Sequence, residues 1–454
     1  MKPEQLTKAY FIGVGGIGVS AIVRFFAGKG IRVSGSDIVL PPSATLPFGQ
    51  YFEGHSQEHV PSDASVVIYS PAVPQDHVER IRARELGIPE LSYPEALAMV
   101  TREHNTIAIS GTHGKSTTTA LAGKLFQEGG FGASVIVGAE VEGWDHNYLA
   151  GSGDIFIVEA CEYRRHMMQL DPQTIVLTNL ELDHPDYYHD LADIKRAFRE
   201  YIGKLSGENL LIINNDDANI RDIISGFDGM VVRYGIGEGG DLYAKNIGQS
   251  ITEQTFELVW HGSTIGTFTT TLPGLYNIYN ILAACAVYLA YGGRSEKIQE
   301  VLSHFNGVGR RFEVLGTLEN ATIISDYAHH PTALRAVVEA AHARYAGKNI
   351  LTIFRPHHRE RTIKLMDDFI AVALSVPHLV LIEIYDVAGR EEALAVSSED
   401  IEKAVLSKNP RADIVFAKDM RAAEEIARRK VSDFDVILVI GAGDADQLAR
   451  LLVR

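Results

Sequence analysis

The chain has 454 residues, 46% of them hydrophobic and 22% charged, enough for about three domains that each bury a core. Its net charge of −16 disfavours nucleic acid as a partner, and its two cysteines, Cys161 and Cys285, stand far apart, which argues against a disulfide framework and suits a reducing compartment. The start, Met1 to Tyr10, is polar and leads into a strand-like run, and no apolar stretch is long enough to span a bilayer, so a cytoplasmic protein without membrane insertion is expected.

Three segments each open their own alternation of strand-like and helix-like runs, which predicts an α/β protein of three domains, 1–102, 103–309 and 310–454. The first begins with a strand over 9–12, turns through glycines into a helix over 19–27, stops at Gly28-Lys29-Gly30 and re-enters a strand at 31–33. Further strands are expected at 65–69 and 89–91, and the polar stretch 101–105 reads as a linker. The second domain opens with a strand over 106–110 and a helix over 115–128 ended by Gly129-Gly130. Strands follow at 155–158, 175–178 and 210–213, and the alternating run 231–271 adds antiparallel strands. The third starts near Arg310-Arg311-Phe312, with strands around 322–325, 350–354, 379–384 and 436–440.

Two glycine loops carry the chemistry. Ser110-Gly111-Thr112-His113-Gly114-Lys115-Ser116-Thr117 lies between a strand and a helix, where backbone N–H groups and the helix dipole make a phosphate site. Gly111 and Gly114 let the backbone close on oxygens, Lys115 reaches the terminal phosphates and the Ser116 hydroxyl is suited to Mg²⁺. It is a short variant, with Ile109 where the GxxxxGK[ST] form has its first glycine. Glu159, at a strand end, is expected as a second metal contact, and Asp183 or His184 faces the same cleft.

Gly13-Val14-Gly15-Gly16-Ile17-Gly18 follows the first strand, with Asp37 about twenty residues on, the dinucleotide pattern. Taken alone it points to an NAD-dependent dehydrogenase, and the pyrophosphate of a UDP-sugar fits the same helix start equally well. A second phosphate loop with its own metal ligands is what a dehydrogenase leaves unexplained; a nucleotide-driven switch is a third class that such a loop would serve.

Together these motifs resemble the Mur ligase family over nearly the whole chain. Beyond the two loops, the resemblance rests on Glu159-Ala160-Cys161-Glu162-Tyr163-Arg164-Arg165-His166, Asn179 through Tyr187, Gly274 through Asn280, Gly309-Arg310-Arg311-Phe312-Glu313, Asp326 through Thr332, Pro356 through Thr362 and Gly441-Ala442-Gly443-Asp444. It implies a Rossmann-like UDP-binding domain, a central P-loop ATP-binding domain and a Rossmann-like amino-acid-binding domain. It also implies a ligase that uses ATP and Mg²⁺ to activate a carboxylate as an acyl phosphate for attack by an amine.

The branch matched by the Cys161 to His166 run joins L-alanine to UDP-N-acetylmuramate; the alternative is a ligase attaching a preformed murein tripeptide. By the same resemblance Gly13, Gly15, Gly16, Ile17 and Gly18 hold the UDP diphosphate, with Asp37, His55 and Ser70 nearby. The loop residues Gly111 through Thr117 take ATP, and Ser116, Glu159 and His184 take the metal. Asn277 and Asn280 meet the adenine, Arg310 or Arg311 the phosphates and Asp326 the ribose. His329, His330 and Arg361 position the amino acid and the intermediate; Arg361 is a fork for the alanine carboxylate, and one of the two histidines orients or deprotonates the amine. Tyr276, Ala333, Arg355 and Gly389-Arg390-Glu391 depart from the family's usual residues. A monomer or homodimer is expected, with a C-terminal domain that closes over the cleft.

Overall fold

The computed structural model describes residues 3–41, 46–386 and 395–454; the Gly389-Arg390-Glu391 departure lies outside the described residues. The chain builds three sheets. In the first, β1 (Lys8–Ile12), β2 (Arg32–Asp37), β3 (Gln50–Glu53), β4 (Val66–Tyr69) and β5 (Glu90–Ser92) lie in the order β3-β2-β1-β4-β5, all parallel. The sequence moves from β1 to β2 on one side and returns to β4 on the other, so the glycine loop leaves β1 at the point where the sheet reverses direction. Such a crevice, at the carboxyl ends of the strands, is where open α/β sheets bind ligands. Helices α1 (Ile17–Gly28), α2 (Val78–Glu85) and α3 (Tyr93–Thr101) complete this unit. Periodicity does not disclose β3, a four-residue edge strand with no buried position.

The central sheet has ten strands, in the order β15-β14-β13-β12-β11-β10-β6-β9-β7-β8. They are β6 (Asn105–Ser110), β7 (Ser134–Ile136), β8 (Tyr148–Leu149), β9 (Ile155–Glu159), β10 (Thr174–Leu177), β11 (Leu210–Asn214), β12 (Met230–Ile236), β13 (Leu242–Gln249), β14 (Gln254–Trp260) and β15 (Ser263–Thr270). The antiparallel addition expected over 231–271 is confined to β13, β14 and β15, because β12 pairs parallel with both β11 and β13. Helices α4 (Lys115–Glu128), α5 (Leu191–Ile202), α6 (Ala218–Ile223), α7 (Leu275–Ala290) and α8 (Ser295–Leu302) belong to this unit. Here β6 sits between β9 and β10, which puts the phosphate loop at a second reversal point.

The third sheet contains β16 (Glu313–Leu318), β17 (Ala321–Asp326), β18 (Ile350–Arg355), β19 (His378–Ile382), β20 (Asp413–Ala417) and β21 (Val436–Gly441), in the order β16-β17-β21-β18-β19-β20. Only β16 runs antiparallel. Its helices are α9 (Pro331–Arg344), α10 (Arg359–Lys364), α11 (Met366–Ala373), α12 (Ser398–Lys408), α13 (Met420–Lys430) and α14 (Ala445–Leu452).

The two junctions between units differ in kind. One apolar cluster runs from the first sheet into the central one, with the Phe25 ring set edge-on to Phe156 and Tyr148, at centroid distances of 5.7 and 6.2 Å. Burying rings of this size contributes about 1.5–3 kcal/mol each, so the first two units are welded. The third unit keeps separate cores on the two faces of its sheet and meets the central one largely through polar contacts. These are Arg361 to Asp183, Thr332 to Glu181, Lys364 to the Pro185 carbonyl and Arg344 to the Thr271 carbonyl. Among the described residues no helix is long and apolar enough to cross a membrane.

Candidate active site

The phosphate loop owes its shape to two glycines in left-handed backbone, Gly111 at φ 133° and Gly114 at φ 83°. A Cβ on Gly111 would meet the Thr178 hydroxyl at 2.2 Å, and one on Gly114 would meet Asn280 Oδ1 at 2.2 Å. Asn280 is therefore a wall of the loop as well as a candidate nucleotide contact. Gly114 caps α4 without any side-chain hydrogen bond, leaving the first-turn N–H groups to an anion. The Asn179 side chain accepts from His113 N–H at 2.8 Å and its carbonyl accepts from Thr112 N–H at 3.0 Å. Thr178 donates its hydroxyl to the His113 carbonyl at 2.6 Å.

Lys115 reaches back over this loop, donating to the Gly111 and Thr112 carbonyls at 2.6 and 3.0 Å, and it pairs with both oxygens of Glu162 at 3.0 and 2.8 Å. Burial works against both charges. The pair outweighs it, so Lys115 is held above its ordinary range and Glu162, helped by His184, below. Glu162 lies inside the run from Glu159 to His166 yet carried no assigned role, because nothing local says that it meets a lysine 47 residues away.

Glu159 ends β9 and accepts from Gly138 N–H at 2.5 Å; burial raises its pKa, with Gly138, Lys115 and the Ser116 hydroxyl opposing. Ser116 thus groups with Glu159, whereas His184 groups with Glu162 and Asp183, each offering one donor atom within 4.8 Å of the others. His184 takes φ 53°, unusual for a residue with a Cβ and a form of strain often concentrated at functional sites. All of these residues line one cleft of about 750 Å³ that also receives Arg310, Arg311, His329, His357 and Arg361 from the third unit.

The paired histidines separate cleanly. His329 Nδ1 donates to the Tyr327 carbonyl at 2.9 Å, which leaves Nε2 as the acceptor of a neutral ring facing the cleft. Burial and then Arg361 hold its pKa well below the ordinary value. His330 instead caps α9, with Nδ1 accepting from Thr332 N–H at 3.3 Å and Nε2 donating to the Leu182 carbonyl at 3.2 Å. Both its nitrogens are engaged, so it tethers the third unit to the central one and is not poised toward an amine. Arg361 is not an open fork either: Nε and Nη2 are bound to Asp183 Oδ1, and Nη1 donates to the His357 carbonyl at 3.3 Å.

A second cavity, of about 520 Å³, adjoins the loop. Asn277, Asn280, Arg311 and Asp326 line it, together with Tyr276, Asn214, Tyr234 and Ala333. Asp326 accepts from the Phe312 and Ala328 N–H groups at 2.8 and 2.7 Å, while burial raises its pKa. Arg310, at φ 61°, donates to the Gly443 carbonyl at 2.9 Å, and both Arg310 and Arg311 stack over the Tyr327 ring.

At the first sheet, Gly13 takes φ 89° and its N–H donates to the Ser36 carbonyl at 2.8 Å. Asp37 turns its carboxylate onto the loop, accepting from Gly15 N–H at 2.7 Å, and so shapes the loop from its own side. Ser70 packs 3.1 Å from where a Gly13 Cβ would stand, and His55 lies within 3.0 Å of the Ser36 hydroxyl. Gly16 caps α1 in extended backbone without a side-chain bond, and Ile17 reaches the edge of the larger cleft.

A phosphate loop closed by a third α/β unit that carries a buried arginine and a neutral histidine defines a nucleotide-dependent enzyme of three α/β domains. Residues 8–105, 109–288 and 310–443 match in turn the models for "Mur ligase family, catalytic domain", "Mur ligase middle domain" and "Mur ligase, glutamate ligase domain". The chain belongs to the Mur ligase family. It is 34% identical to the UDP-N-acetylmuramate–L-alanine ligase of Alkaliphilus metalliredigens (strain QYMF), covering 100% of this chain and 98% of that one. The Desulfitobacterium hafniense (strain Y51) protein of the same name is also 34% identical, over 98% of this chain and 99% of its own. The crystal structure of UDP-N-acetylmuramate-alanine ligase from Thermotoga maritima superposes with a TM-score of 0.80 at 26% identity, covering 98% of each chain.

Proposed function

We propose that this chain joins L-alanine to the lactyl carboxylate of UDP-N-acetylmuramate, with ATP hydrolysed to ADP and phosphate through an acyl-phosphate intermediate. The observation that carries this reading is the shared cleft, in which the phosphate loop and Lys115 of the central unit face His329 and Arg361 of the third. Full-length similarity to ligases named for this pair of substrates supports it. In this reading residues 1–102 hold the sugar nucleotide, 103–309 ATP and 310–454 the amino acid.

The chemical obstacle is the approach of two anions. Lys115 exchanges its two carbonyl partners for phosphate oxygens while Glu162 keeps it charged and oriented. The donor set fits Mg²⁺: Ser116, Glu159, Glu162 and Asp183 offer hard oxygens, and burial of Glu159 leaves a carboxylate that a cation would relieve. When bound, the ion neutralises phosphoryl charge. The lactyl carboxylate then takes the γ-phosphoryl group from ATP, releasing ADP, and the neutral alanine nitrogen displaces phosphate to form the amide, passing its proton to His329 Nε2 as the N–C bond forms. Closure of the third unit along its polar seam excludes water from the acyl phosphate.

The test is phosphate release from ATP and Mg²⁺ with UDP-N-acetylmuramate, run without amine and then with L-alanine, glycine, L-serine or L-Ala-γ-D-Glu-meso-diaminopimelate, with product masses read. Turnover that needs the sugar nucleotide and is fastest with L-alanine is the expected result. A preference for the tripeptide moves the chain to the recycling activity, and no turnover with any amine overturns the reading.

A further inference from the structure

Glu79, in the first turn of α2, has no solvent exposure. Its Oε1 accepts from the Tyr10 hydroxyl at 2.9 Å and from Ser56 N–H at 3.2 Å, with His59 Nδ1 at 3.3 Å. Its Oε2 accepts from the Ser36 hydroxyl at 2.6 Å, with His55 Nδ1 at 3.4 Å. One carboxylate therefore ties β1, the end of β2, the turn after β3 and the start of α2 into one hub at the carboxyl edge of the first sheet. His55, His77 and Glu79 also bring one donor atom each within 4.8 Å of one another. Both Glu79 oxygens already receive O–H donors, so the cluster is a hydrogen-bond hub and not an open cation site.

Burying a carboxylate is costly, and an apolar side chain of similar volume would fill the same space with less penalty. What the charge adds is direction. Because the Ser36 hydroxyl gives its proton to Glu79, its oxygen is left to accept from His55 Nδ1–H at 3.0 Å. That chain of donors fixes the His55 tautomer and ring plane and turns the ring's other nitrogen away from the hub. The Ser36 carbonyl meanwhile accepts from Gly13 and Val14 N–H at 2.8 and 3.2 Å, so the same residue also holds the glycine loop.

We propose that Glu79 is a positioning residue for the nucleotide end of the sugar-nucleotide substrate, holding His55 and the glycine loop in register through Ser36. This rests on the reading of the first unit as the UDP-binding one. A merely structural role would depress all substrates and the melting temperature together; a positioning role acts on one substrate alone and requires His55.

The experiment uses the full chain, with UDP as the calorimetric probe and UDP-N-acetylmuramate, ATP and L-alanine as kinetic substrates. Glu79→Gln is expected to weaken UDP binding and raise the KM for UDP-N-acetylmuramate by about tenfold, the scale of one charge-assisted hydrogen bond. The KM for ATP and kcat stay unchanged. His55→Ala gives a loss of the same order, and the double variant loses little more than either single one. Should Glu79→Gln fail to fold, Ser36→Ala cuts the link to His55 while leaving the Tyr10 bond, and the same selective loss is expected. UDP affinity equal to wild type in the folded variant, or losses that multiply in the double variant, overturns the proposal. If wild type shows no ligation while Glu79→Gln still weakens UDP binding, the ligase reading fails and the positioning role stands.

Discussion

Arg361 donates from Nε and Nη2 to a single oxygen of Asp183, at 3.0 and 2.7 Å, and the two side chains are only 3% and 5% exposed. This pair pins the third unit to the central one beside the candidate metal cluster. Burial opposes the Asp183 charge, but the Arg361 guanidinium outweighs it and holds the carboxyl well below the usual range. Its contribution is therefore complete above the ordinary value of 3.8 and is lost only as pH falls through the still lower folded value. Arg361→Ala strands a buried carboxylate, for which the expected cost is about 3–5 kcal/mol. Thermal unfolding reads that loss; a melting temperature unchanged from wild type would show that the pair is not formed.

Lys115 and Glu162 should behave as a unit. Glu162→Gln keeps the shape of the side chain but removes the charge that orients the lysine, and kcat is expected to fall on the order of 100-fold. Lys115→Ala should be at least as damaging, and the double variant close to the worse single one, since the two act through one contact. Steady-state phosphate release measures all three, and multiplying losses would contradict the coupling.

Gly114→Ala tests the loop directly. At φ 83° the new Cβ is strained, and it would meet Asn280 Oδ1 at 2.2 Å, so the loop must move or the Asn280 side chain must turn away. ADP affinity measured by calorimetry should fall by roughly tenfold or more, the scale of about 1.4 kcal/mol or more. Binding equal to wild type would mean that the loop is not the nucleotide site.

Acid should loosen the third unit before it unfolds the rest. Burial, then His358 and Arg361, push His357 down to about 3 from the ordinary 6.5. The unfolded ring takes up a proton as pH falls through 6.5 while the folded one stays neutral, so this stabilisation is full above 6.5 and is lost toward about 3. His329 and His330 are lowered in the same direction, mainly by burial. Melting temperature should drop between pH 7 and pH 4, and His357→Asn should flatten part of that slope. A melting temperature independent of pH in this window would count against neutral buried histidines.

The helix Lys115–Glu128 was readable to its end residues, because a glycine turn, a helix-forming run and a glycine stop are all local signals. The strands that precede both glycine loops were legible too, each to within one residue at its start. Less visible were the short edge strands β3 and β20 and the parallel pairing of β12, where neighbours in space rather than periodicity decide the structure.

By itself the sequence determined the three α/β units, the two strand-loop-helix glycine turns and the family, since each depends on contacts within a few residues or on motifs in a given order. Only the tertiary structure decided which polar groups face one another. Glu79 meets Tyr10 across 69 residues, Lys115 meets Glu162 across 47 and Asp183 meets Arg361 across 178. It also divided His329 from His330, one turned to the cleft and the other used as a cap. A buried charge must find its partner wherever the packing brings one, and that choice is made by the folded units and leaves no periodic trace along the chain.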